Sequence, residues 1–280
     1  MPICTALSDA TGVHCHFDMA PSRHSATGRA LLHYMLITAL RDRLFLALPV
    51  MMALAAALTA FLSGSALIEQ REMAASFFGA GSRVLIIFGM VIFICFHIRQ
   101  AMDSGEIALI LSRPISRGAF VLVYGASMVI MGIVCVAIGV ILLWICARPP
   151  LGGLLVWGAS MALETSLMIL TTLFFGLIRA SAVTAALVSL GFYFLARMSG
   201  LLGILADHAS TGGMMDQALG KGFILISFIV PRLDLFSRSE WLVYGWNAQE
   251  PGLIWSLLQT LAFIPLVLGA AAIDFSRKRL

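Results

Sequence analysis

A single acidic residue, Glu164, lies well inside a long apolar run of this 280-residue chain. An ionisable group in such a run is costly to bury and usually faces a bundle interior or a water-filled cavity. Glu164 therefore reads as a substrate or gating contact, with Arg197 on the next apolar run as its partner. The plainer reading is a packed, protonated or interfacially hydrated carboxyl. Cys4, His14, Cys15 and His16 are soft-metal ligand types, but they fall in a polar stretch, 1–26, that reads as a disordered tail carrying them by chance, and no metal site is assigned. Arg113 and Arg117 flank Pro114 in a short polar island between two apolar runs. Pro114 breaks the turn between them, and both guanidinium groups can bind acidic side chains or lipid headgroups.

The elements that must position these residues follow from composition. The chain is 60% hydrophobic and only 11% charged, with mean hydropathy +0.99. Soluble domains are about 45–50% apolar and about 25% charged. The expected class is an all-α polytopic membrane protein, in which the bilayer stands in for the core. The formal charge of +4 then gives no reason to expect nucleic acid as a partner. What matters is how Lys and Arg divide over the loops. Five cysteines without a C-x-x-C pair give neither a disulfide framework nor a zinc site. No apolar core follows the first residues, so 1–26 does not read as a secretory leader, and Met19 is a second candidate start.

Leu32, Met35, Leu36, Ala39 and Leu40 recur at helical spacing beside Arg29, His33, Arg41 and Arg43. Residues 27–43 are expected to form an amphipathic helix on the membrane surface, or an N-terminal extension of the first span. Six spans are expected at about 44–67, 78–100, 120–147, 154–178, 182–205 and 252–273, since some 20 residues at about 1.5 Å each cross the hydrocarbon core. Pro49 lies near the start of the first, where proline is tolerated. In the second, the uninterrupted run Val84–Phe96 is too short to cross alone, and Arg83 is expected to snorkel to an interface. Gly125, Gly132 and Gly139, seven apart, predict a close helix contact. Residues 206–250 form the longest polar region, with an interfacial or re-entrant helix at 223–230 closed by Pro231. Six spans put both termini on one side. Eleven Lys and Arg then share the side of the termini, against six on the other with Arg197 set aside as intramembrane. The positive-inside rule makes the termini and the 104–120 segment cytosolic and 206–250 external.

With that topology, Ser104-Gly105-Glu106, the block Leu109-Ile-Leu-Ser-Arg-Pro-Ile-Ser-Arg117 and Phe120-Val-Leu122 resemble the ABC-2 type permease family, the membrane subunits of ABC exporters. That family shows an acidic-Gly-Thr stretch, then Leu-Leu-Ser-x-Pro-Ile-Ser-Arg, then Val-Leu-Gly-Lys, between its second and third spans. Here Glu106 stands where Thr is usual and Tyr124 where Lys is usual. The N-terminal amphipathic helix, Val230-Pro-Arg-Leu-Asp-Leu-Phe236 and the basic end Phe275-Ser-Arg-Lys-Arg279 are similar to further family features. The resemblance implies a homodimeric permease in the cell membrane, a bacterial inner membrane in particular, exporting a substrate. It implies two copies of a separate ABC ATP-binding subunit that hold ATP and Mg. Glu106, Arg113, Pro114 and Arg117 would lie on the element that couples to that subunit. The chain itself has no G-x-x-x-x-G-K-[S/T] phosphate loop, so it is not expected to be the ATPase. Two other readings stand beside this one. One is an ABC-2-like subunit that transmits ATPase motion to an external partner at 206–250 without carrying cargo. The other is a secondary transporter, which calls for several intramembrane ionisable groups or broken helices.

Overall fold

A computed structural model describes residues 32–38, 40–64, 69–107, 117–178, 181–201, 230–236, 238–246 and 252–277. Among these, helix is the dominant element and no strand occurs. Five helices are long and apolar enough to cross a membrane, which marks a multi-pass membrane protein. They are α1 (Arg43–Gly64), α2 (Gln70–Asp103), α3 (Arg117–Ala147), α4 (Leu151–Ile178) and, last in the chain, α7 (Gly252–Arg277). Between α4 and α7 come α5 (Ala182–Arg197), a 3-10 turn (Leu233–Leu235) and the one-turn helix α6 (Glu240–Val243).

Local chemistry sets several of these ends. Asp42 caps α1, its Oδ1 accepting from the Leu44 amide at 2.9 Å, which satisfies one of the orphan donors of the first turn. The helix therefore begins at Arg43, and Pro49 sits nearly two turns inside it rather than in its first turn. Residues 32–38, within the stretch expected to be amphipathic, are helical, with Met35 buried and Tyr34 and Ile37 exposed. α2 is the main departure from the sequence reading. It has 34 residues, against an expected span of 78–100, and measures about 51 Å at 1.5 Å per residue. Its early buried positions, Ala74, Ala75, Phe78, Gly79, Ser82 and Arg83, follow helical spacing. Packing thus extends the helix well before the apolar run starts. α5 has 16 residues, then a turn at Met198 and three further helical residues; residues 202–205 of the expected span lie outside those described.

α4 is central, packing against α2, α3, α5 and α7, while α1 packs on α2 and α3. Several buried hydroxyls are tied into their own helices: Thr171 and Thr172 on α4 bond to the Leu167 and Met168 carbonyls, and Ser127 on α3 to Val123. This lets those three side chains sit in a water-poor interior with their hydroxyls satisfied. The glycine series on α3 is a packing seam. A Cβ at Gly132 would meet Ile169 Cδ1 of α4 at 2.3 Å, one at Gly125 would meet Leu170 of α4 at 3.0 Å, and one at Gly139 would meet Met52 of α1 at 2.9 Å.

The bundle has two distinct ends. One gathers the start of α1, the end of α2, the start of α3 and the end of α7, through Asp42 with His97 and Arg117 with Phe275. At the opposite end α6 lies over the first turns of α2 and α4, with Trp241 and Leu242 buried. The fit is tight at Gly153, where a Cβ would sit 1.8 Å from the Trp241 carbonyl oxygen. Backbone cannot yield as a side-chain tip can, so Gly153→Ala is expected to destabilise the protein by about 1–3 kcal/mol. The readout is the thermal midpoint in detergent, with Gly152→Ala, whose Cβ would meet nothing within 4 Å, as the silent control. An unchanged midpoint for Gly153→Ala would mean that α6 is not docked there.

Candidate functional site

The site is built around Glu164, which has no solvent exposure. α4 carries it thirteen residues past Leu151, and α2 carries Arg83 thirteen residues past Gln70. Both helices start beneath α6, so the two groups lie at the same depth, about 20 Å along each helix. Arg83 Nε is 4.0 Å from Glu164 Oε2, an ion pair without a direct hydrogen bond. α5 supplies two more groups from one face, spaced four residues apart. Tyr193 donates its hydroxyl to Glu164 Oε1 at 3.4 Å, and Arg197 Nη1 stands 3.6 Å from the same oxygen. One carboxylate therefore joins α2, α4 and α5.

Arg197 also faces outward from this cluster. Its Nη1 donates to the Leu233 carbonyl and, at 3.0 Å, to the Phe236 carbonyl. These are the two ends of the 3-10 turn, whose peptide dipoles are thereby held against a guanidinium. Ser199 Oγ lies 3.3 Å from Asp234 Oδ1, and Arg232 Nη2 lies 3.2 Å from Asp234 Oδ2. Gly200 leaves the space that Asp234 needs, since a Cβ there would sit 2.3 Å from Asp234 Oδ2. The Val230–Phe236 segment is thus clasped by α5 and linked through one arginine to the buried carboxylate.

The structure brings Glu164 and Arg197 together, as the spacing of ionisable groups in the apolar runs suggests. Arg83, expected at an interface, is instead nearly buried and paired with Glu164. Because α2 starts at Gln70 and not near Phe78, the guanidinium cannot reach the helix end, and Glu164 at the same level offers the counter-charge. The helical period of the buried positions from Ala74 to Arg83 is the signal that finds it. Tyr193 is the other residue that sequence reading missed; its four-residue offset from Arg197 is the cue.

At the other end, Glu106 follows a turn through Ser104 and Gly105 (φ 74°) and is half-buried. Arg117 opens α3, and its Nη1 donates to the carbonyls of Phe275 at 3.4 Å and Ser276 at 3.5 Å. A cation on the last carbonyls of α7 is favourable to that helix's dipole. Phe120 stacks on Phe275 beside it, ring centroids 5.8 Å apart. Arg113 and Pro114 lie outside the described residues, as do Cys4, His14, Cys15 and His16. Among the described residues no group of three or more His, Cys, Asp or Glu could hold a metal ion. Compared with known proteins, the chain matches no family model and no characterised protein.

Two outcomes are expected at the cluster. Glu164→Gln leaves two guanidinium groups without their counter-charge and should lower stability by about 3–5 kcal/mol, as breaking a buried ion pair does. Adding Arg83→Gln should recover part of that loss, so the thermal midpoints of the double-mutant cycle should be non-additive; strict additivity would show that the two groups are uncoupled. Arg197→Met should free the clasped segment, so that the amides from Leu233 to Val243 exchange faster with solvent while those of α3 hold their protection. Equal protection in both proteins would mean the segment does not depend on Arg197.

Proposed function

We propose that this chain is the membrane-spanning permease subunit of an ABC transporter, acting as a homodimer with two copies of a separate ATP-binding subunit that holds ATP and Mg. It would move a substrate, in the export direction, across a bacterial inner membrane. In this reading the bundle has six spans, with 182–205 as the fifth, and both termini are cytosolic. The observation that carries it is the Ser-Arg-Pro-Ile-Ser-Arg sequence at 112–117, between the end of α2 and the start of α3. The charge asymmetry supports the same orientation. With Arg83 buried and paired, it leaves the external set, and the cations number eleven against five.

The mechanism follows from what the segment touches. Force applied between Glu106 and Arg117 passes to α2 and α3 by covalent continuity. It passes to α7 through the Arg117 guanidinium on the Phe275 and Ser276 carbonyls. α2 carries it to Arg83 and so to Glu164, α5 and the clasped outer segment. Hydrolysis belongs to the partner. This chain's part is to convert a push at one end into a rearrangement of a charged, closely packed cluster.

Two other readings each have a specific support. The link from Glu164 through Arg197 to the 230–236 segment suits a subunit that signals to an external partner at 206–250 without carrying cargo. The gathering of Arg83, Glu164 and Arg197 in one interior site suits a secondary transporter, since ionisable groups of that kind mark ion and proton pathways.

The test is co-purification from native membranes. The wild-type chain is expected to bring down an ATP-binding subunit. Arg113→Glu should lose most of it at an unchanged thermal midpoint, and Arg113→Glu/Arg117→Glu should lose the rest. Retained association in both variants, or no ATP-binding subunit with the wild type, would refute the proposal. Ion-driven transport by liposomes holding this chain alone would favour the secondary transporter.

A further inference from the structure

At the end of the bundle where α1 begins, a cavity of about 580 Å³ opens between the helical stretch 32–38, the start of α1 and the last turns of α2. Its polar lining includes His33, Tyr34, Arg41, Asp42, His97 and Gln100. Directly below, between α1 and α2, runs an apolar groove of about 330 Å³. The groove is lined by Leu44 and Met51 on α1 and by Val84, Phe88 and Phe93 on α2. From Phe93 to Val84 it extends about 13 Å along α2 at 1.5 Å per residue. The two openings adjoin along one face of α2: Phe93 of the groove and His97 and Gln100 of the cavity follow one another at helical spacing, and Phe93 stacks on His97 with centroids 5.3 Å apart.

Charge decides what the upper cavity accepts. Arg41 is exposed and has no ion-pair partner among the described residues. Asp42, the one carboxylate among the described lining residues, is held in place by two contacts. Its Oδ1 accepts from the Leu44 amide at 2.9 Å and its Oδ2 is 3.6 Å from His97 Nδ1. On the same stretch of α2, Arg99 and Asp103 pair with each other at 2.8 Å. What remains free is a guanidinium with hydroxyl, imidazole and amide donors around it, the arrangement a phosphate needs. Among the described residues the lining holds no second carboxylate. Below it, Leu44, Met51, Val84 and Ile92 keep between 40% and 49% of their surface exposed along the groove, as a bound acyl chain requires.

The geometry points to a binding site for an anionic phospholipid, with its phosphate in the cavity by Arg41 and one acyl chain in the α1–α2 groove. This site rests on the bundle lying in a bilayer and not on the permease reading. Either can fail without the other. Phosphatidylglycerol fits it better than phosphatidylethanolamine, whose amine would meet the Arg41 guanidinium and have only Asp42, held at Oδ1 by the Leu44 amide, as a counter-charge. Occupancy would couple the 32–38 stretch to α1 and α2, because the headgroup touches all three.

The full-length chain, delipidated in detergent, is titrated separately with dioleoyl-phosphatidylglycerol, dioleoyl-phosphatidylethanolamine and inorganic phosphate, and bound adducts are counted by native mass spectrometry. Phosphatidylglycerol should occupy the protein well above phosphatidylethanolamine at equal concentration. Arg41→Ala should cut that occupancy about fivefold, the share of one cation at a membrane surface. Its thermal midpoint should not move, since the side chain is exposed. Met51→Trp, which fills the groove, should lower occupancy by both lipids. Equal binding of the two lipids, or undiminished phosphatidylglycerol binding by Arg41→Ala, would overturn the site. Adducts of inorganic phosphate at matching concentration would overturn the lipid as its occupant.

Discussion

A carboxylate with no solvent contact must find its counter-charges within the protein, and this requirement on Glu164 organises the bundle. Arg83 and Arg197 meet it from two other helices, and Tyr193 adds a hydrogen bond. Each contact constrains the rotation of a helix about its axis, since a turn of one residue would carry the group away from the cluster. Hydrophobic packing in a membrane has little of that specificity, because lipid tails are as apolar as leucine. The polar cluster sets which faces of α2, α4 and α5 meet, and the small residues then allow close approach. Gly125 and Gly132 bring α3 onto α4, and Gly153 lets α6 lie on the start of α4. A charged cluster of this kind is weak support for stability, but it is a strong determinant of register.

The two ends of the molecule are chemically different, and the cluster lies between them. At one end, single side chains tie separate helices together across their termini: Asp42 to His97, and Arg117 to the last carbonyls of α7. At the other, Arg197 clasps the Val230–Phe236 segment, and α6 covers the starts of α2 and α4. A displacement at the first end reaches the second along α2, whose 34 residues run the full height of the bundle. That continuity is the physical content of the proposed coupling, whatever its cargo.

Much of this was legible in the sequence. Apolar runs of more than 20 residues locate α1, α3, α4 and α7 to within a few residues, because hydrocarbon thickness leaves little freedom. Glu164 and Arg197 stand out because ionisable groups are rare in such runs, and their pairing follows from their being on successive helices. Arg83 was not legible by that route. Residues 70–83 mix Gln70, Arg71, Glu72, Ser76 and Ser82 with the apolar positions, so a hydropathy run starts too late and places Arg83 near an end. The contacts of Arg117 and Arg197 with carbonyl oxygens were also beyond reach. Every residue carries a carbonyl, so its role as an acceptor leaves no mark on the sequence, and only the geometry of the termini of α7 and the 3-10 turn reveals it.

The central claim is that Glu164 is an ionised group held between two arginines. Isotope-edited infrared difference spectroscopy of ¹³C-glutamate-labelled protein, wild type against Glu164→Gln, measures this directly. The account predicts that the band lost on substitution is a carboxylate stretch, and that it shifts when Arg83 or Arg197 is replaced. A lost band in the protonated carbonyl region, indifferent to either arginine, would contradict it.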